Sequence, residues 1–260
     1  MNYTTALTEE DLRRNIAAIR ARMDAACQRS GRSPQDVRLL PVSKTVPEER
    51  LRLAWAAGVR EMGENKVQEA YGKWQAMRQD MPGLRWCLIG HLQTNKARLV
   101  AEFASEFHAL DSLRVARALD ARLQALGRSL DVLVQINTSG EASKFGLAPQ
   151  EALAFMRELP AFASLNVRGL MTLAMHTTDE PQVRQCFALL RDLRDRLRQD
   201  APQGAALAEL SMGMSGDFEW AIEEGATTVR VGQAIFGARR TPDSEYWPGL
   251  APEKPADTQP

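Results

Sequence analysis

The sequence predicts an α/β protein, a single (β/α)8 TIM-type barrel with an extra N-terminal helix. Three observations predict it. Short apolar runs alternate with helical patterns along most of the chain. Several of those runs are apolar almost throughout, the pattern of parallel strands covered on both faces. About eight such units fit in a chain of 260 residues, and a barrel needs about 200 or more. A doubly wound open sheet uses the same βα units and stays open as an alternative.

The first element is an amphipathic helix. Leu12, Ile16, Ile19, Met23 and Cys27 recur at helical spacing, Thr8 can cap the start with Asp11 three residues on, and Gly31 and Pro34 end it. The strand-like runs then fall at 37–43, 59–62, 84–89, 107–110, 130–136, 167–173, 207–212 and 229–231. Helical patterns lie between or after them at 48–57, 66–77, 95–103, 113–126, 151–159, 183–197 and 218–224. Two have clear apolar stripes: Ala116, Leu119, Leu123 and Leu126, and Val183, Phe187, Leu190 and Leu197. From Thr241 onward five prolines stand among few apolar residues, so 1–240 reads as the barrel and 241–260 as a poorly ordered tail.

Composition narrows the class of function. Lys plus Arg and Asp plus Glu both total 33, which removes the electrostatic reason to expect nucleic acid or an anionic membrane as partner. A pI near 6.9 predicts limited solubility close to neutral pH. Cys27, Cys87 and Cys186 are far apart, without the close spacing of a zinc site or a redox dithiol. That odd count, with no signal-peptide pattern and no transmembrane-length run, leads to the expectation of a cytoplasmic protein.

In a barrel, function collects where strands end and βα loops begin, and the unusual residues fall there. Lys44 follows the first strand. An amine there is partly desolvated and can attack a carbonyl, although a lysine snorkelling to the surface is the ordinary alternative. Asn65 follows the second strand and can line the mouth or cap the next helix. His91 follows the third, as a titratable group or a backbone-held one; His108 and His176 offer no metal-ligand spacing with it. The segment 135–141 is dense in polar residues, as a site or as a turn-rich loop. The segments 211–217 and 232–237 follow strands seven and eight, where barrels often seat phosphate on free backbone N–H groups that glycine lets approach. Arg230, between Val229 and Val231, must find a partner inside: a carboxylate, or a ligand nitrogen. A phosphorylated aldehyde would satisfy the amine, the anion seat and the arginine together.

In these residues the chain resembles the pyridoxal 5′-phosphate (PLP) homeostasis family, the proline-synthase co-transcribed type. The matching segments are LLPVSKT (39–45), GENKVQE (63–69), IGHLQTNK (89–96), QINTSGEASKFGL (135–147), GLMT (169–172), LSMGMSGDFEWAI (210–222) and VRVGQAIFGAR (229–239). They run in order over nearly the whole chain except the tail. The resemblance implies a fold-type-III barrel similar to the N-terminal domain of alanine racemase. It implies that Lys44 forms the internal aldimine with PLP, that Ser211, Gly232 and Gln233 lie at the phosphate, that Arg230 lies near the pyridine nitrogen and that Asn65 lies beside the cofactor. Gln233 departs from the small hydroxyl residue expected there, usually Thr, which puts one hydroxyl-to-phosphate bond in doubt.

Racemases of this fold use a second base, commonly a Tyr delivered by a C-terminal β-domain and a partner subunit. About 20 residues follow Arg240, and Tyr3, Tyr71 and Tyr246 lie in no such motif. A guanidinium beside the ring nitrogen also makes the ring a poorer electron sink. The leading expectation is a monomeric, non-catalytic PLP carrier that buffers the cofactor or delivers it to PLP-dependent apo-enzymes. A single-domain amino-acid racemase, with Lys44 as one base and water or His91 as the other, is the second reading. A Schiff-base aldolase of another class is the third.

Overall fold

The computed structural model describes residues 3–200 and 207–238. Eight parallel strands form one sheet in the order β1-β8-β7-β6-β5-β4-β3-β2. The strands are β1 (Arg38–Pro41), β2 (Glu61–Glu64), β3 (Arg85–Leu88), β4 (Glu106–Leu110), β5 (Leu130–Gln135), β6 (Leu165–Met171), β7 (Glu209–Ser211) and β8 (Thr228–Val231). A parallel bridge between Val42 and Gly63, with the Ser43 N–H donating to the Gly63 carbonyl at 2.9 Å, brings β1 back to β2. The sheet is therefore a closed (β/α)8 barrel rather than an open doubly wound sheet.

Helices alternate with the strands: α1 (Glu9–Arg29), α2 (Glu48–Ala56), α3 (Val67–Met77), α4 (Ala97–Phe103), α5 (Leu113–Ala125), α6 (Ala152–Glu158), α7 (Glu180–Asp200), α8 (Phe218–Glu223) and α9 (Gln233–Phe236). The N-terminal helix α1 begins as its sequence requires. The Thr8 hydroxyl accepts from the Asp11 N–H and the Asp11 carboxylate accepts from the Thr8 N–H, each at 3.1 Å. Its buried stripe includes Leu12, Ile16, Ile19, Met23 and Cys27. The helix packs against α8 and α9, which follow the last two strands. Asn15 donates to the Ile235 carbonyl at 2.9 Å, and Arg22 pairs with Glu219 at 2.7 Å.

Strand boundaries differ from the apolar runs in an informative way. The second run ends at Met62, but β2 continues through Gly63 and Glu64, both buried. Gly63 fits because a Cβ there would press on Val42 at 3.3 Å, and Glu64 fits because Lys73 pairs with it at 2.7 Å. Gly169 in β6 is required by its neighbour: a Cβ would lie 1.9 Å from the Glu209 carbonyl oxygen. Among the described residues no helix is long and apolar enough to cross a membrane. Cys27, Cys87 and Cys186 are buried and none is disulfide-bonded. The expected tail at 241–260, with the border at 240, lies outside the described residues.

Candidate functional site

Barrel closure places the first candidate. Lys44 sits in a tight turn immediately after the Val42–Gly63 bridge and is half-buried. Thr45, next to it, has φ of 63°, the left-handed region that a β-branched residue rarely occupies. Asn65 follows β2 on the other side of the same closure, and its Oδ1 is buried without a hydrogen-bond partner. An orphaned buried acceptor is rare enough to ask for a donor from a ligand.

Arg230 is inside the barrel. Its Nη1 donates to the Ser211 hydroxyl at 2.7 Å and its Nη2 to the Thr172 carbonyl at 2.8 Å. Both acceptors are uncharged. Among the described residues no carboxylate hydrogen-bonds to Arg230; Asp217 acts on it through its charge alone. Burial draws its pKa down to about 10, which leaves the guanidinium charged at neutral pH, and the Asp217 charge partly opposes that pull.

Beneath Arg230 runs a connected polar chain that sequence reasoning missed. Ser211 meets His108 Nδ1 at 3.1 Å, and His108 Nε2 meets Glu106 at 2.8 Å. Arg38 and Arg85 close on the Glu106 carboxylate. Burial pushes the Glu106 carboxyl up, but the hydrogen bonds from Arg38 and His108 outweigh it and hold it well below the usual carboxylate range. Burial likewise drives His108 below its ordinary value. A neutral His108 then donates from Nε2 to Glu106 and accepts the Ser211 proton at Nδ1, an assignment made from the network. Alternation in β4, Glu106-Phe107-His108, was the available signal, since residues two apart share a strand face. Cys87, Glu106 and His108 lie close enough to suggest a metal site. The arginines already neutralise Glu106 and both His108 nitrogens are engaged, so the cluster is balanced as it stands.

The loops after β7 and β8 are joined. The Asp217 carboxylate accepts from the Met214 N–H at 2.5 Å, and the Ser215 hydroxyl accepts from the Ala234 N–H in α9 at 3.4 Å. Gly232 caps α9, with Gln233 as its first residue. Ser211 thus differs in its contacts from the segment of Gly232 and Gln233: its hydroxyl meets Arg230 and His108, while the Ser215 hydroxyl lies between the two loops. His91 stands apart from this group. It stacks on Phe145, centroids 3.9 Å apart at 9°, and its Nδ1 meets Asp111 at 3.2 Å.

Comparison with known proteins agrees with this geometry. The family described as the alanine racemase N-terminal domain matches residues 12–240. A pyridoxal phosphate homeostasis protein of Pseudomonas aeruginosa is 45% identical over 225 residues, covering 86% of this chain and 94% of its own. The chain belongs to the pyridoxal phosphate homeostasis protein family. PipY of Synechococcus elongatus, solved with PLP bound, is 36% identical with a TM-score of 0.77, and the match covers 87% of this chain and all of that one. An alanine racemase of Clostridium difficile, 17% identical with a TM-score of 0.69, covers 94% of this chain but 60% of its own length, and shares the fold.

Proposed function

We infer that this chain binds PLP, held covalently as a Schiff base on Lys44, and serves its homeostasis as a carrier rather than as a racemase. Arg230 is the observation that carries this reading. A charged guanidinium, fully buried with only neutral hydrogen-bond acceptors, is costly unless something else shares it, and a pyridine nitrogen is an uncharged acceptor of suitable shape. The donor set fits the cofactor in other respects. Lys44 supplies an amine for an aldehyde, and the Asn65 Oδ1 orphan asks for a donor such as a ring hydroxyl. Gly232, Gln233 and Ser215 would hold the phosphate where two loops meet.

When bound, PLP supplies an aldehyde that condenses reversibly with amines and a ring that can delocalise charge. What this chain adds bears on restraint. Arg230 stays cationic at neutral pH and disfavours a second positive charge on the ring. Tyr71 donates to Glu102 and Tyr3 to the Ser215 carbonyl; His91 is committed to Asp111 and Phe145. The two tyrosine engagements support a site in which neither Tyr3 nor Tyr71 is a poised second base, which leaves the racemase reading to His91 or water. Release of PLP to apo-enzymes by a monomer, within the cytoplasm, completes the reading.

The test is the visible spectrum of the purified protein before and after borohydride, beside Lys44→Ala. A yellow band that borohydride abolishes and the variant lacks is expected. Solvent deuterium entering the α-position of an amino acid at enzyme-like turnover would replace carrier with racemase. A protein that stays colourless with added PLP would move the aldolase reading forward.

A further inference from the structure

Lys73 is a buried lysine that the cofactor reading does not use. It stands on α3, and each of its acceptors lies toward the Lys44 turn: the Ser43 carbonyl at 2.8 Å, Glu64 Oε1 at 2.7 Å and Glu69 Oε1 at 2.7 Å. An ammonium has three protons to donate, and these three acceptors account for them. The two carboxylate oxygens are shared with the turn. Glu64 Oε1 also accepts from the Ser43 hydroxyl at 2.6 Å, and Glu69 Oε1 also accepts from the Thr45 N–H at 2.7 Å. The cluster therefore grips the backbone on both sides of Lys44, at the carbonyl before it and at the N–H after it.

The gripped segment is strained. Thr45 keeps a positive φ of 63°, and such a conformation persists where surrounding contacts over-determine it. Without the Glu69 contact the Thr45 N–H would lose a charge-assisted hydrogen bond, and the turn could relax toward ordinary backbone.

We propose that Lys73, Glu64 and Glu69 are positioning residues that hold the Lys44 turn in its strained form and so govern how firmly the protein retains PLP. The proposal rests on Lys44 being the attachment point. A purely structural role, tying α3 to the barrel, is the alternative; a cluster serving only that end could join the barrel anywhere along β2, whereas this one ends on Ser43 and Thr45.

Glu69 is the residue to change, because its side chain is about a quarter exposed (27%) and lies outside the barrel. PLP dissociation is followed by loss of the borohydride-sensitive visible band, with melting of the PLP-free protein measured alongside. Glu69→Ala is expected to release PLP about tenfold faster. Glu69→Gln keeps an oxygen for the Thr45 N–H and should recover most of the retention. In a Thr45→Gly background, where positive φ carries no strain, Glu69→Ala should have a smaller effect. Wild-type retention in Glu69→Ala, or Gln behaving no better than Ala, overturns the proposal, whatever happens to melting. Failure of wild type to bind PLP, or unchanged binding by Lys44→Ala, refutes instead the attachment reading beneath it.

Discussion

Arg230 donates to the Ser211 hydroxyl at 2.7 Å inside the barrel. Ser211 is the residue that motif matching puts at the phosphate, yet its hydroxyl is 0% exposed and lies between an arginine and His108. The first consequence is a division of labour between two serines in one segment. Ser211→Ala strips an acceptor from a buried guanidinium and should cost the PLP-free protein about 1–3 kcal/mol. Ser215→Ala, at the meeting of the β7 and β8 loops, should leave that stability within about 0.5 kcal/mol while weakening PLP binding by about tenfold. Urea unfolding and PLP titration on both variants check this. Equal effects on affinity with no difference in stability would return the phosphate to Ser211.

The Glu106–His108 pair gives the protein an acid-sensitive core. Burial, opposed in part by Glu106, makes His108 harder to protonate in the fold than in the unfolded chain, whose imidazole titrates near 6.5. As pH falls through that value the unfolded chain takes up a proton that the fold resists, so stability declines. Glu106 follows at lower pH: its folded pKa is depressed, so its contribution is present above the ordinary carboxylate value of 4.5 and is lost below it. The urea midpoint should therefore fall in two stages from about pH 7 to about pH 3. In His108→Gln the upper stage should vanish and the lower remain. A midpoint flat between about pH 7 and pH 5 in wild type would refute the neutral-histidine assignment.

Two glycines predict opposite signs for one substitution. Gly72 lies exposed inside α3, and a Cβ there meets nothing within 4 Å. Gly72→Ala should stabilise by about 0.5–1 kcal/mol. Gly169→Ala would drive a methyl into the Glu209 carbonyl, where backbone on both sides must move. It should cost about 3 kcal/mol or more, or abolish folding. Thermal melting of the two variants tests both signs.

The barrel was legible because its strands are apolar on both faces and its helices are amphipathic, so the two periods alternate visibly. Lys44, Asn65 and Arg230 stood out as candidates because they are polar residues at strand ends or inside apolar strands. The partners that hold them were not. Glu69 and Lys73 stand 24 and 30 positions from the backbone they grip, and they meet it only because β1 and β2 close the barrel beside them. Glu106 and His108 were hidden for a related reason. A polar residue in a strand core looks like an interruption until Arg85 of the neighbouring β3, and Arg38 and Ser211 from β1 and β7 across the barrel, close on it. Ser211 and Ser215 carry identical chemistry, so sequence could not say which one turns inward; the start of the loop just after Ser211 decides it.

That same closure makes Gly90 a test of the mouth. Gly90 follows β3 in the loop that carries His91, and a Cβ on it would lie 2.2 Å from the Asn65 carbonyl oxygen and 2.9 Å from its Cα. The clash is with backbone, so no side-chain rotation relieves it. Gly90→Ala must push the β2 and β3 loops apart and displace Asn65, whose Oδ1 is held in a buried position. If Asn65 lies against the cofactor, PLP affinity should fall by about tenfold or more, and Asn65→Ala should add little to the Gly90→Ala loss because the contact is already gone. Additive losses in that double-mutant cycle would mean that Gly90 acts on the site by a route other than Asn65.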